Sequence, residues 1–239
     1  MPKKKAAAKG KKTIGKFERM PTGIPGLDKL IEGGFVKGST NLLAGGTGTG
    51  KTLFCAQFIM DGLKRGEKCM FLTLEETPED IIGDCARFGW DLSKYIANGQ
   101  LELIYKDPFE LTNVGRSFLD GLGKRGIERV AIDSTSVMGL YFRHPAEVRK
   151  NLFNTLSAVK KSGATVLVTA EAPEEGKMLT RFGVEEYITD GVILLHYVGF
   201  GGGNYHSLQV RKMRRTDHAK DIFPMEIGKN GIEVKKLET

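Results

Sequence analysis

The segment "GGTGTGKTLF", residues 45 to 54, constrains the fold of this chain more than any other. Its spacing from Gly45 to Gly50, Lys51 and Thr52 satisfies G-x-x-x-x-G-K-[ST], the loop that cradles the phosphates of a nucleoside triphosphate. Such a loop needs a strand before it and a helix after it, and both are signalled. "STNLLAG" (39 to 45) reads as a buried strand, and "TLFCAQFIMDGLKRG" (52 to 66) as a helix that ends at Gly66. Glycine has no Cβ, so successive backbone N–H groups can converge, and the helix start adds its positive dipole end. The backbone of Gly46, Thr47, Gly48, Thr49, Gly50, Lys51, Thr52 and Leu53 is thus expected to form an anion socket. Lys51 reaches the β- and γ-phosphates in this reading, and the Thr52 hydroxyl ligates Mg2+.

The remainder of the chain alternates strand and helix. "KCMFLTLEE" (68 to 76), "QLELIY" (100 to 105), "RVAIDS" (129 to 134) and "ATVLVTA" (164 to 170) read as strands. "TPEDIIGDCARFG" (77 to 89) reads as a helix, with Thr77 as N-cap, Pro78 at the first position and Glu79 and Asp80 at the positive end. In "PAEVRKNLFNTLSAVKKSG", Val148, Leu152, Leu156 and Val159 recur at helical spacing up to Gly163. Repeated strand-helix-strand units predict a mainly parallel sheet with helices on its faces, an α/β fold. After residue 190 the pattern becomes "GVILLHYV", "YHSLQVRKM" and "IFPMEI", expected to extend the sheet as antiparallel hairpins.

A chain of 239 residues can bury a full core as one α/β domain, here expected over 17–239. The formal charge of +7 has a local source: residues 1–16 carry seven lysines and no acid, and what remains has 29 basic and 29 acidic residues. That tail is expected to be disordered, and if nucleic acid is bound at all, the tail is the place for it. Cys55, Cys69 and Cys85 lie too far apart for a C-x-x-C pair, so neither a disulfide framework nor a zinc site is expected. No apolar run approaches the length of a membrane span, and a cytoplasmic protein is the expectation.

Ligands of open α/β sheets gather at the carboxyl ends of the strands, where this sequence places acids. Glu75 and Glu76 follow one strand, Asp133 closes another and Glu171 follows a third. An aspartate that closes an apolar strand downstream of a phosphate loop orients the Mg2+ shell, the role expected of Asp133. A carboxylate beside the γ-phosphate can orient and polarise the attacking water, the role expected of Glu75 or Glu76.

"PTGIPGLDKLIEGGFVKGSTNLLAGGTGTGKT", "FLTLEETPEDIIGDCARFGWDLSKY", "RVAIDS", "VEEYITDGVILL" and "KMRRTDH" together resemble the KaiC-like branch of the RecA ATPases, over residues 17 to 227. The resemblance implies a RecA-like P-loop fold, ATP with Mg2+ as cofactors, and a ring, usually hexameric, with ATP between subunits. It makes Glu75 and Glu76 the catalytic acids, Lys212 and Arg214 fingers that reach a neighbour's γ-phosphate, and His218 a residue near the sugar. Strand alternation by itself places Leu208, Val210, Lys212 and Arg214 on one face. A single phosphate loop and a single Glu-Glu pair make the chain similar to one half of the double-domain members. The phosphorylatable half of those proteins carries Ser-Thr before "ITD"; Glu186 and Tyr187 stand there in this chain, so the purely hydrolytic first half is the better guide.

Two other classes use the same fold. A recombinase-like DNA-binding ATPase needs cations in the segments after the aspartate strand and the next strand. Here 135–147 is neutral and 171–186 has five glutamates against Lys177 and Arg181, which disfavours a DNA channel. An assembly scaffold of the archaeal-motility type lacks the paired glutamates that this chain keeps. A regulatory or assembly ATPase is the expectation, and its client protein is not encoded in any motif.

Overall fold

The computed structural model describes residues 17–107, 121–140, 142, 144–173, 178–200 and 203–237. The lysine-rich segment 1–16 and residues 174–177 of the acidic segment lie outside them. In chain order the elements are β1 (Arg19–Met20), α1 (Leu27–Leu30), β2 (Phe35–Val36), β3 (Thr40–Gly45), α2 (Lys51–Lys64), β4 (Cys69–Thr73), α3 (Pro78–Ala86), α4 (Ser93–Ala97), β5 (Leu101–Tyr105) and α5 (Leu122–Arg125). They continue with β6 (Arg129–Asp133), a 3-10 turn (Thr135–Leu140), α6 (Pro145–Lys161), β7 (Thr165–Glu171), α7 (Glu185–Ile188), β8 (Gly191–Phe200), β9 (Gly203–Met213), β10 (Ile222–Gly228) and β11 (Gly231–Val234).

Nine strands form one sheet in the order β11-β10-β9-β8-β3-β7-β6-β4-β5. The pairings from β8 to β5 are parallel, and those among β8, β9, β10 and β11 are antiparallel. The mainly parallel α/β sheet with C-terminal hairpins predicted from the sequence is therefore present. Its final strand, β11, and the small β1–β2 ladder were not signalled by any periodic run, because each is too short to show one.

The central strands are apolar throughout because helices cover both faces. On one face, Phe54, Phe58 and Ile59 of α2 and Ile81 and Cys85 of α3 pack against Leu43, Phe71, Ala131 and Leu167. On the other, Leu156 and Val159 of α6 pack against Leu42, Leu72, Ile132 and Val168. All three cysteines are free and buried. No described helix is long and apolar enough to cross a membrane.

The structure corrects one sequence expectation. Along the β8–β9 ladder Val192 pairs with Lys212 but Ile193 pairs with Val210, so Arg211 is an extra residue in β9. A bulge of this kind shifts the side-chain alternation by one. Leu208 and Val210 are therefore continued on the α2 side of the sheet by Met213, which joins them in the core, and not by Lys212. Lys212 points to the α6–α7 side, where its Nζ donates to the carbonyls of Glu186 (2.8 Å) and Thr189 (2.6 Å).

Candidate functional site

The phosphate loop runs from the end of β3 to the start of α2, and its geometry follows from its glycines. Gly48 and Gly50 have φ of 74° and 90°, a left-handed backbone that side chains with a Cβ rarely adopt. A Cβ on Gly45 would come within 2.6 Å of Thr49 Oγ1 and 2.8 Å of the Leu195 carbonyl. The loop is tied to itself by Thr49, 1% exposed, whose hydroxyl donates to the Gly46 carbonyl at 2.9 Å. Lys51 Nζ donates to the Gly45 and Gly46 carbonyls, at 3.1 and 2.9 Å, which holds the ammonium over the loop. Helix α2 has Gly50 as its N-cap, with no side-chain cap bond, so its first amides are left to another acceptor.

Those amides open onto a cleft of about 580 Å3 lined by Gly48, Gly50, Lys51, Thr52 and Leu53 of the loop and helix, by Ile81, Asp84, Cys85, Arg87 and Phe88 of α3 and the turn after it, and by Ile227 of β10. The volume lies within the usual range of cofactor clefts. Anionic groups fit the loop end, and an apolar ring fits between α3 and Ile227. The residues thus suit a nucleoside triphosphate by shape as well as by motif.

Strand order brings the acids to the same edge. Thr73 of β4 pairs with Asp133 of β6, and β7 alone separates β6 from β3 and its loop. Asp133 is 8% exposed, and one of its oxygens accepts a hydrogen bond from the Thr169 hydroxyl. Glu75 is exposed and accepts from Ser134 Oγ, while Thr73 Oγ1 both donates to the Glu76 carbonyl (2.7 Å) and accepts from its amide (3.1 Å). The turn that carries the glutamate pair is therefore fixed from β4. Burial pushes the half-buried Glu76 carboxyl above the usual range, and the negative charges of Asp133, Asp84, Glu75 and Asp80 push it the same way. The following helix is held by a capping box, with Thr77 Oγ1 accepting from the Asp80 amide at 3.2 Å and the Asp80 carboxylate accepting from the Thr77 amide at 3.4 Å.

Among the described residues no three His, Cys, Asp or Glu side chains cluster as a self-sufficient metal cage. Mg2+ in nucleotide sites is held by few protein oxygens together with substrate phosphates and water. Thr52 lies in the first turn of α2 and Asp133 at the end of β6. Glu171, at the end of β7, is occupied otherwise: its amide donates to Ser136 Oγ at 2.7 Å and its carboxylate pairs with Arg181 at 3.4 Å.

Lys212, Arg214 and His218 are not in this cleft. Arg214, with its side chain about half exposed, lies in a second groove with Arg149, Lys150, Phe153 and Tyr187, and its guanidinium is 3.4 Å from Asp190. Burial lowers the Lys212 ammonium below its usual range, and the Arg214 charge adds to this. His218 Nδ1 donates to the Ala219 carbonyl at 2.7 Å.

Asp190 was missed in the sequence although it closes the run "YITD". It is 4% exposed and accepts from the Thr40 amide (3.1 Å) and from Lys160 Nζ (2.7 Å), with Arg214 and Arg215 alongside. Burial alone would raise its carboxyl, but the bonds from Lys160 and Thr40 hold it below the usual range.

The family described as "ATPase: KaiC" matches residues 20–239. This chain belongs to the KaiC ATPase family. It is 35% identical over 230 residues to the circadian clock oscillator protein KaiC of Synechococcus elongatus, covering 92% of this chain and 44% of that one. It is 32% identical over 233 residues to the circadian clock protein KaiC3 of Synechocystis, covering 92% and 46%. The chain thus spans about half the length of these curated relatives. Among solved structures, a KaiC-like protein from Pyrococcus horikoshii superposes with a TM-score of 0.84 at 38% identity, covering 92% of this chain and all of that one. The fold is the RecA-like one of the KaiC family.

Proposed function

We propose that this chain binds ATP with Mg2+ and hydrolyses it, in a closed ring whose active sites lie between neighbouring subunits. The observation that carries the proposal is the placing of Glu76, its carboxyl raised by burial and by Asp133, on the same sheet edge as a glycine-shaped phosphate loop. In this reading the loop amides and Lys51 hold the triphosphate, and Thr52 and Asp133 hold the metal shell. Mg2+ would supply charge neutralisation at the transferred phosphoryl group. Glu76, with Glu75 beside it, orients a water and accepts its proton; a raised carboxyl is a better acceptor than an ordinary one. Neighbouring acids achieve this without a histidine.

The arginine side of the site comes from the next subunit. Arg214 lies on the α6–α7 side of the sheet, away from α2 and α3, so it is poorly placed to meet its own loop. A guanidinium delivered by a neighbour would stabilise the charge that develops on the phosphoryl oxygens. Lys212, engaged with the Glu186 and Thr189 carbonyls, supports that segment, and His218 contacts the neighbour's sugar. The expected physiological role is that of a regulatory or assembly motor.

Turnover by the purified chain with ATP and Mg2+ tests this reading. Lys51→Ala should weaken ATP binding, whereas Glu75→Gln with Glu76→Gln should keep binding and lower turnover by about 100-fold or more, the scale of general-base loss. Unchanged hydrolysis by the double variant would remove the glutamates from the mechanism.

A further inference from the structure

Glu185, the first residue of α7, is 1% exposed, and its carboxylate is only half answered. Its Oε2 accepts from the Thr180 hydroxyl at 2.6 Å and from the Val184 amide at 3.1 Å, while Oε1 is buried with no hydrogen-bond partner. The Glu186 carboxylate approaches the same hydroxyl, 2.9 Å from Thr180 Oγ1. A hydroxyl has one hydrogen to donate, so the buried Thr180 can serve only one of these two carboxylates.

Among the described residues no positive side chain pairs with either of them. Arg181, next in the chain to Thr180, pairs with Glu171, and Lys212 directs its ammonium to the carbonyls of Glu186 and Thr189. The Glu186 charge acts on Lys212 only through space. Val184 and Ile188, on either side of the pair in the chain, belong to an apolar cluster with Val148 and Leu152. Buried charge is ordinarily paired or bound to a metal, because an uncompensated buried carboxylate is costly. A buried water can meet the lone pairs of Oε1, but it brings no charge.

We propose that Glu185 Oε1 and the Glu186 carboxylate hold a hard divalent cation at the start of α7, with Ca2+ a better fit than Mg2+. Carboxylate oxygens are the donors such ions take, and two negative charges match one divalent ion. Ca2+ accepts irregular oxygen geometry, whereas Mg2+ demands a near-ideal octahedron and keeps several waters, for which a residue 1% exposed leaves little room. Two carboxylates are fewer than a self-sufficient cage supplies, so the affinity belongs at the weak end of the Ca2+ range, a Kd of about 0.1–1 mM. The ion fastens the turn 180–184 to α7. Because the Glu186 and Thr189 carbonyls hold Lys212, it also steadies the end of β9. None of Thr180, Glu185 and Glu186 lines the nucleotide cleft, so the site stands apart from the ATP reading.

The test is thermal unfolding of the full-length chain, freed of nucleotide and metal with a chelator and then given Ca2+ or Mg2+. An ion that binds the folded state alone raises Tm, and at about 10 mM Ca2+ the rise should be about 5 °C, with a smaller one for Mg2+. Glu185→Gln keeps the shape of the side chain and removes its charge. Without added ion this variant should melt no lower than the wild type, and Ca2+ should leave its Tm unmoved. Glu186→Gln should lose most of the rise and serves if Glu185→Gln does not fold. Asp133→Asn should keep the rise in full, since without a triphosphate the phosphate loop holds its metal poorly. Calorimetric titration of the wild type should find one Ca2+ per chain. A wild-type Tm indifferent to both ions overturns the site, as does an equal rise in the two glutamine variants. A rise that survives in both of them and vanishes in Asp133→Asn places the ion at the strand-end acids instead, and overturns it too.

Discussion

Arg129 at the start of β6 is 0% exposed and Asp133 at its end is 8% exposed, so one strand buries a charge at each end, with opposite outcomes. Arg129 is fully answered. Its guanidinium meets the carboxylates of Asp61 and Glu67, donates to the carbonyls of Pro21 (3.0 Å) and Phe58 (2.9 Å), and lies 4.8 Å from the centre of the Phe58 ring. Asp133 meets a hydroxyl, from Thr169, and its charge adds to those of Asp84, Glu75 and Asp80 in raising Glu76. One end of the strand balances charge and the other accumulates it. Balance serves the fold, because an unpaired buried charge is costly. Accumulated negative charge does nothing for the fold, and it suits a site built for a cation and a proton acceptor.

The largest effect should come from breaking the balanced end. Arg129→Met removes the guanidinium and leaves the Pro21 and Phe58 carbonyls without their donor and two carboxylates without their partner. A loss of about 3–5 kcal/mol is expected, the cost of breaking a buried pair by removing one partner. At the size of this chain that lowers Tm by roughly 10 °C. Nucleotide turnover per folded molecule at low temperature should change little, since Arg129 stands at the far end of β6 from the cleft. A variant of unchanged Tm would mean that the network around Arg129 contributes nothing net.

The second effect inverts the first. Asp133→Asn keeps an acceptor for the Thr169 hydroxyl and removes one of several crowded negative charges. Loss of thermal stability should therefore be smaller than for Arg129→Met, since no buried ion pair is broken. Turnover should fall on the order of 100-fold, equivalent to about 2.7 kcal/mol in the barrier. If Asp133→Asn instead lowered Tm as Arg129→Met does, with turnover intact, the two ends of β6 would not differ in kind.

The contrast was only half visible in the sequence. Asp133 announces itself by closing an apolar strand after a phosphate loop, and Glu75 and Glu76 by closing another. Arg129 opens "RVAIDS" as any solvated strand-end charge would, and its burial depends on Asp61 and Glu67, which come from α2 and the turn after it. Such a partnership has no local pattern. The same holds for β9, where alternation placed Lys212 beside Val210 until the extra residue Arg211 moved it to the other face. Nothing in "LQVRKMRR" marks which residue bulges, because that is set by pairing with Val192 and Ile193 of another strand. Periodic runs, caps and glycine-rich turns were legible because their causes are local. Buried charge pairs and ladder register were not, because theirs are tertiary.

The smallest effect tests how the accumulating end acts on Glu76. Its carboxyl is raised by burial first, then by Asp133, Asp84, Glu75 and Asp80. As proton acceptor it must be ionised, so turnover should fail on the acid side at a pH above that of an ordinary glutamate, about 4.3. Asp84 lies on α3, outside the glutamate turn, and can be neutralised without touching the pair. In Asp84→Asn one negative charge is gone, the ionised form of Glu76 becomes easier to reach, and the acid limb of the kcat profile should move to lower pH. Glu79→Gln removes a charge from the same helix that is not among the groups that raise Glu76, and should leave the limb in place. The titration of ATP itself is common to all three profiles, so it cancels in the comparison. An unmoved limb in Asp84→Asn, or equal movement in both variants, would mean that Glu76 is tuned by burial alone and that the acids on α3 serve some other end.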